Sequence, residues 1–163
     1  MEDCVQPTVK HGGGGIMVWG CINAKGVGFL TKVEGRLNGE GYINILENVL
    51  ISTTHLLTIT SGWIFQQDNA TCHTSKLVRE WFNENGKSVM DWPAQSTDLN
   101  PIKLWDQIKT MVQEQNPTSV KELWTAINSA WEGFPSDGLN NLIVSISRRC
   151  AAVVMARGGP TNY

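Results

Sequence analysis

The sequence predicts an α/β fold, a mixed sheet flanked by helices with a helical C-terminal part. Three features predict it. Two β-favouring runs, IMVWGCI at Ile16–Ile22 and FLTKV at Phe29–Val33, flank a short turn. From Gly62 the signals alternate strand, helix, strand, helix, the order of a parallel crossover unit. Beyond Asn100 the apolar residues recur at helical spacing between stop signals to the end of the chain.

Taken in order, His11-Gly12-Gly13-Gly14-Gly15 reads as a flexible entry to the first strand. A phosphate-cradling loop would feed a helix, and this one feeds a β-branched, apolar run. Asn23-Ala24-Lys25-Gly26 is the turn between the two strands. After Asn38-Gly39-Glu40-Gly41, residues Tyr42, Ile45, Leu46, Val49 and Leu50 fall on one helical face, while Thr53 to Thr60 is ambiguous. Trp63, Ile64 and Phe65 are β-favouring and lead to Asp68, where Asn69 begins a turn, so Asp68 lies where a buried strand opens to solvent.

Thr74 or Ser75 caps the next helix, whose Leu77, Val78, Trp81 and Phe82 form its apolar face. Asn85-Gly86 ends it, and Ser88–Trp92 is a strand that Pro93 breaks. A right-handed parallel crossover here brings the carboxyl end of the Asp68 strand near the loop before Pro101. Asn100 as cap and Pro101 at the first helical position start a helix that buries Trp105, Ile108 and Val112, and Asn116-Pro117 stops it. Ser119-Val120-Lys121-Glu122 is a capping box for a helix with Trp124, Ile127 and Trp131 on one face. A last helix over Pro135–Ala156 carries Leu139, Leu142, Ile146 and Val153, before a Gly158-Gly159-Pro160 stop.

With 163 residues, 41% hydrophobic and 17% charged, the chain suits one domain, 1–163, with a sizeable core. No apolar run reaches the ~18 residues of a membrane span, and Met1-Glu2-Asp3 does not open a secretory signal. Cysteines 4, 21, 72 and 150 lack Cys-x-x-Cys spacing, which favours free thiols over a disulfide framework or zinc site. A net charge of −2 excludes a strongly basic nucleic-acid clamp, so DNA binding is local or weak. The basic residues open to it are Lys76, Arg79, Lys109, Arg148, Arg149 and Arg157. The tryptophans follow the buried period and read as core rather than a base-stacking platform.

The run FQQDNATCHTS, followed by WPAQSTDLNPIKLW, resembles the catalytic domain of Tc/mariner superfamily DNA transposases, whose members read close to QQDNDPKHTS and WPxQSPDLNPIENLW. PTVKHGGGGIMVWGCI at Pro7–Ile22 and the terminal RRCAAVVMARGGPTNY are similar to the family as well, so the resemblance spans nearly the whole chain. It implies a ribonuclease-H-like fold and an Asp, Asp, Glu triad holding Mg2+ or Mn2+ for DNA cleavage and strand transfer. Asp68 matches the second Asp as catalytic residue and metal ligand, and His73 matches the family's histidine. His73 and Lys76 are then the candidate substrate contacts. DNA is the implied partner and the nucleus the implied location.

Two departures bear on activity. The glutamate position, 34 residues beyond Asp68, is filled by Lys103, and PIKLW is one residue shorter than PIENLW. An ammonium ~4 Å from one unit of metal charge costs about 4 kcal/mol at an effective dielectric of 20, doubled for a divalent ion. One residue in a helix is about 100° of rotation, so helix start and apolar stripe cannot both keep the family's phase. Asp98 matches a non-catalytic family residue, and Asp106, about 300° round the helix from Lys103, is a poor replacement.

Only MEDCVQ precedes the PTVKHGGG segment, which leads to the expectation that the family's helix-turn-helix and first strand, with its Asp, are absent. An unpaired sheet edge would then invite self-association. The sequence therefore supports a transposase-derived domain that has lost catalysis and much of its metal binding. The alternatives are a non-enzymatic DNA- or protein-binding module, or a fragment of a longer active transposase.

Overall fold

Asn23 builds the first turn: its Oδ1 accepts from the amides of Lys25 at 2.7 Å and Gly26 at 3.2 Å. In the computed structural model, which describes residues 15–60, 62–93, 96, 99, 100, 104–157 and 159, this turn joins β1 (Met17–Asn23) to β2 (Gly26–Val33). The strands form a two-stranded sheet. The second strand starts earlier than its apolar run suggests because Gly26, at φ 158°, already has extended backbone.

The chain divides into two compact units, one of Ile16–Cys21 and Gly28–Ala94, the other of Ile22–Val27 and Gln95–Tyr163 in their described parts. In the first, Asn38 caps α1 (Gly39–Ile45) by accepting from the Gly41 amide at 2.8 Å. The helix runs through one π turn at Leu46–Leu50 into α2 (Ile51–Leu56), so the ambiguous threonines lie within or beside it. Thr53 is 2% exposed, and its Oγ1 accepts from the Phe29 amide at 2.9 Å. Gly28 permits this approach, since a Cβ there would lie 2.3 Å from Thr53 Cγ2 and 3.0 Å from the Cys21 carbonyl. Gly28→Ala is therefore expected to cost about 1–3 kcal/mol by overpacking, read from the urea midpoint.

β3 (Ile64–Phe65), α3 (Lys76–Glu84) and β4 (Ser88–Val89) form the expected parallel crossover unit, with Ile64 opposite Ser88 and Phe65 opposite Val89. The pairing is shorter than the sequence runs, and the Met90 amide adds one bond to the Phe65 carbonyl at 2.8 Å. Ser75 rather than Thr74 caps α3, accepting from the Val78 amide. Gly86, at φ +59°, closes it: the Gly86 amide bonds Asn83 O at 3.1 Å and the Lys87 amide bonds Phe82 O at 2.9 Å, a Schellman stop. Val78, Trp81 and Phe82 join Tyr42, Leu46, Leu50 and Phe65 in the core. Leu77 is 45% exposed, so it lies off the apolar face the sequence assigned it.

The second unit holds α4 (Leu104–Glu114), α5 (Val120–Glu132) and α6 (Ser136–Met155). Leu104, Trp105, Ile108 and Val112 are buried on α4, and Trp105 stacks on Trp131 with centroids 4.9 Å apart. Ser119 caps α5 as expected, but Glu122 Oε2 reaches back to the amide and hydroxyl of Thr118 at 2.8 and 2.7 Å. Leu123 takes the full burial that the spacing gave to Trp124, which is half-buried. On α6 only Leu139 of the four expected apolar residues is fully buried; Leu142, Ile146 and Val153 are half-buried. Arg149 is 2% exposed, which removes it from the basic residues available to DNA. Its guanidinium instead donates to the carbonyls of Asn100 at 3.2 Å and Leu142 at 3.1 Å and to Ser145 Oγ at 3.0 Å. No helix is long and apolar enough to cross a membrane among the described residues.

Candidate functional site

Asp68 lies in the loop that links β3 to α3, three residues past Phe65. Its Oδ1 accepts the Ala70 amide at 3.0 Å, an Asx turn, and meets His73 Nδ1 at 2.5 Å. A short turn makes the second contact possible, since the amides of His73 and Thr74 both bond the Ala70 carbonyl, at 2.9 and 3.0 Å. Asn69 Nδ2 donates to the Trp92 carbonyl at 2.8 Å and ties the loop to the segment leaving β4. The crossover unit thus fixes both ends of the loop, and the loop fixes the carboxylate.

Both side chains are largely covered, with His73 13% and Asp68 18% exposed. Partial burial pushes the Asp68 carboxyl up, but the His73 hydrogen bond, the Ala70 amide and the charge of His73 outweigh it and hold the group below the usual carboxylate range. Asp68 is therefore ionised at neutral pH. A carboxylate only accepts, so Nδ1 is the protonated ring nitrogen in this contact. Burial raises the Cys72 thiol, and the Asp68 charge adds to it, so a thiolate is disfavoured beside the loop. Cys21, Cys72 and Cys150 are free thiols, and Cys4 lies outside the described residues.

The hydrogen bonds Asp68 accepts among the described residues both fall on Oδ1, which leaves Oδ2 as a hard oxygen donor. Magnesium usually takes one or two protein carboxylates and fills its octahedron with water and phosphate, so an ionised, pinned aspartate fits such an ion. Among the described residues no group of three His, Cys, Asp or Glu is placed to hold a metal. Lys76 and Arg79 follow on the exposed face of α3, and Lys76 Nζ is 3.5 Å from Glu80, a solvent-exposed pair of little energetic weight. Asp106 is exposed in the first turn of α4.

The structure joins Asp68 to His73 and places Lys76 at the start of the next helix. Lys103, Asp98, Pro101, Asp3 and residues 11–14 lie outside the described residues. Sequence reasoning missed Tyr42 and Gln67. The Tyr42 hydroxyl donates to Gln67 Oε1 at 2.8 Å, and its ring lies 4.3 Å from that of His73. Tyr42 sits 25 positions from Gln67 and reads as an ordinary core residue by its spacing, so no local signal marked it.

Comparison with known proteins agrees with this architecture. The family pattern described as DDE superfamily endonuclease matches residues 2–124. The Tcb1 transposase of Caenorhabditis briggsae is 37% identical over 158 residues, covering 96% of this chain and 58% of that protein. The Tc1 transposase of Caenorhabditis elegans is 38% identical over 158 residues with the same coverage, so the chain spans little more than half the length of these relatives. The catalytic domain of Mos1 mariner transposase superposes with a TM-score of 0.86 at 18% identity, covering 98% of this chain and 82% of that one. A Mos1 catalytic domain solved with raltegravir and Mg gives 0.81 at 19% identity, over 91% of this chain and 78% of that one. The fold is that ribonuclease-H-like fold.

Proposed function

The chain belongs to the DDE superfamily of endonucleases, among the Tc/mariner transposases, and from that premise we propose a transposase-derived domain that binds a divalent cation weakly at Asp68 and DNA phosphates weakly beside it, without cleaving strands. The observation that carries this reading is the Asp68 carboxylate, pinned through Oδ1 by His73 and Ala70 with Oδ2 left for a cation. Asp68 would hold Mg2+ or Mn2+, whose bound form polarises a phosphodiester oxygen. His73 orients the carboxylate. Lys76 and Arg79, exposed on α3, supply cations for the DNA backbone.

Lys103 is the reason for proposing loss of cleavage. It stands at the sequence position of the family's glutamate, so a metal ligand is replaced by a group of opposite charge. DNA is the proposed partner and the nucleus the proposed location, both from family membership. Self-association belongs to the same proposal, supported by Ile64, 59% exposed on β3, whose one strand partner among the described residues is β4.

The test is incubation of the 163-residue chain with supercoiled or terminal-repeat DNA in Mg2+ or Mn2+. No nicking above background is expected, and none from Lys103→Glu, which restores the charge but not the missing residue of PIENLW. Nicking that disappears in Asp68→Ala would overturn the claim of lost cleavage. In the same preparation, Lys76→Gln should lower the slope of log affinity against log salt by about 1, the signature of one lost phosphate contact. An unchanged slope removes Lys76 from the interface.

A further inference from the structure

A directed chain of hydrogen bonds reaches His73 from α1. The Tyr42 hydroxyl donates to Gln67 Oε1 at 2.8 Å. That fixes the Gln67 amide with its nitrogen toward the His73 carbonyl, which it meets at 3.3 Å. The Tyr42 ring, 1% exposed, lies 4.3 Å from the imidazole at 35° between planes. Backbone and ring of His73 are thus held from two directions by residues of the buried core.

We propose that Tyr42 and Gln67 are positioning residues that aim the His73 ring so that Nδ1 pins Asp68 Oδ1 and keeps Oδ2 free for a cation, which rests on the reading of Asp68 as cation ligand. The physical need is plain. The terminal torsion of an aspartate is broad and roughly two-fold, so an unpinned carboxylate swivels and offers either oxygen. A single bond from His73 stops this only if the imidazole is itself oriented. Partners that orient metal-binding groups in this way typically change metal affinity by roughly 10–100-fold.

The experiment uses the full chain as wild type, Tyr42→Phe and Gln67→Leu, with Glu47→Gln as control, because Glu47, exposed on the same helix, accepts from the indole of the core residue Trp81 at 3.0 Å and has no hydrogen bond to His73. Two quantities are read: Mn2+ affinity by electron paramagnetic resonance, and the His73 tautomer from 15N imidazole spectra at alkaline pH. Wild type and the control should show one tautomer with the proton on Nδ1. Tyr42→Phe and Gln67→Leu should show mixed tautomers and bind Mn2+ roughly 10–100-fold more weakly. The proposal is overturned if both variants keep the single tautomer, or if they lose it and keep wild-type affinity. If wild type binds no Mn2+, the cation reading of Asp68 fails. The tautomer spectra then decide the positioning role alone, mixed supporting it and unchanged overturning it. Should Tyr42→Phe fail to fold, Gln67→Leu, at a half-buried position, carries the same test.

Discussion

Trp131→Ala is expected to unfold the helical unit at room temperature or bring it close to unfolding. Trp131 is 1% exposed, and its ring lies 4.9 Å from that of Trp105 at 21° between planes. Truncating a buried Trp costs about 3–5 kcal/mol through lost transfer energy and the cavity left behind. The aromatic pair adds about 0.5–1.5 kcal/mol beyond its buried area. Domains of this size are held by about 5–15 kcal/mol, so the loss approaches the whole at the lower end. The α4–α5 contact suffers most, because Trp105 of α4 stacks on Trp131 of α5. Urea unfolding followed by far-ultraviolet circular dichroism checks it. Trp131→Phe should recover more than half the loss, and a cost below about 1 kcal/mol for Trp131→Ala would show that the stack is not the centre of this core.

The elements that could be read from sequence are those whose signal is local. Ser119 three residues before Glu122 fixes the start of α5, and Asn85-Gly86 fixes the end of α3, because caps and stops are settled within one turn of chain. The parallel pairing of β3 with β4 was legible because a strand-helix-strand unit has few alternatives, whereas its register, Phe65 opposite Val89, was not. Burial was harder. Leu77 and Trp124 sit beside the correct faces, and period alone cannot decide which of two neighbouring apolar residues points inward. Arg149 was misread as a surface cation, since nothing nearby in sequence shows that the Asn100 carbonyl, 49 positions away, accepts from it. At the candidate site, Asp68 and His73 stood out as a motif. The Tyr42 and Gln67 network did not, because it is made of contacts between distant parts of the chain.

Asp68→Asn should lower divalent-cation affinity by at least roughly 100-fold and flatten the acid limb of stability while leaving the fold in place. Asparagine keeps a carbonyl oxygen where Oδ1 accepts from Ala70 and His73, at 3.0 and 2.5 Å, so the turn survives. It replaces Oδ2 by an amide that cannot ligate a hard cation. It also removes the charge. A unit charge 4 Å from a monovalent cation is worth about 4 kcal/mol at an effective dielectric of 20, so a loss of at least roughly 100-fold in Mn2+ affinity, about 2.7 kcal/mol, is a conservative expectation. The pH dependence has a definite sign. The native carboxyl is held below its ordinary value by the His73 and Ala70 contacts, so the stability it contributes is present above the unfolded pKa, near 3.9, and is lost as pH falls through the lower native value. Wild type should therefore lose stability on acidification through that window, and Asp68→Asn should lose less. His73→Ala separates the two effects: it removes the main stabilising partner of the ionised carboxylate but leaves the ligand, so the acid limb should flatten while Mn2+ binding persists in weakened form. Mn2+ titration at pH 7 and urea midpoints between pH 2 and 7 on the three chains decide it. Full Mn2+ affinity in Asp68→Asn would move the cation site away from this loop and remove the central support for the proposed function.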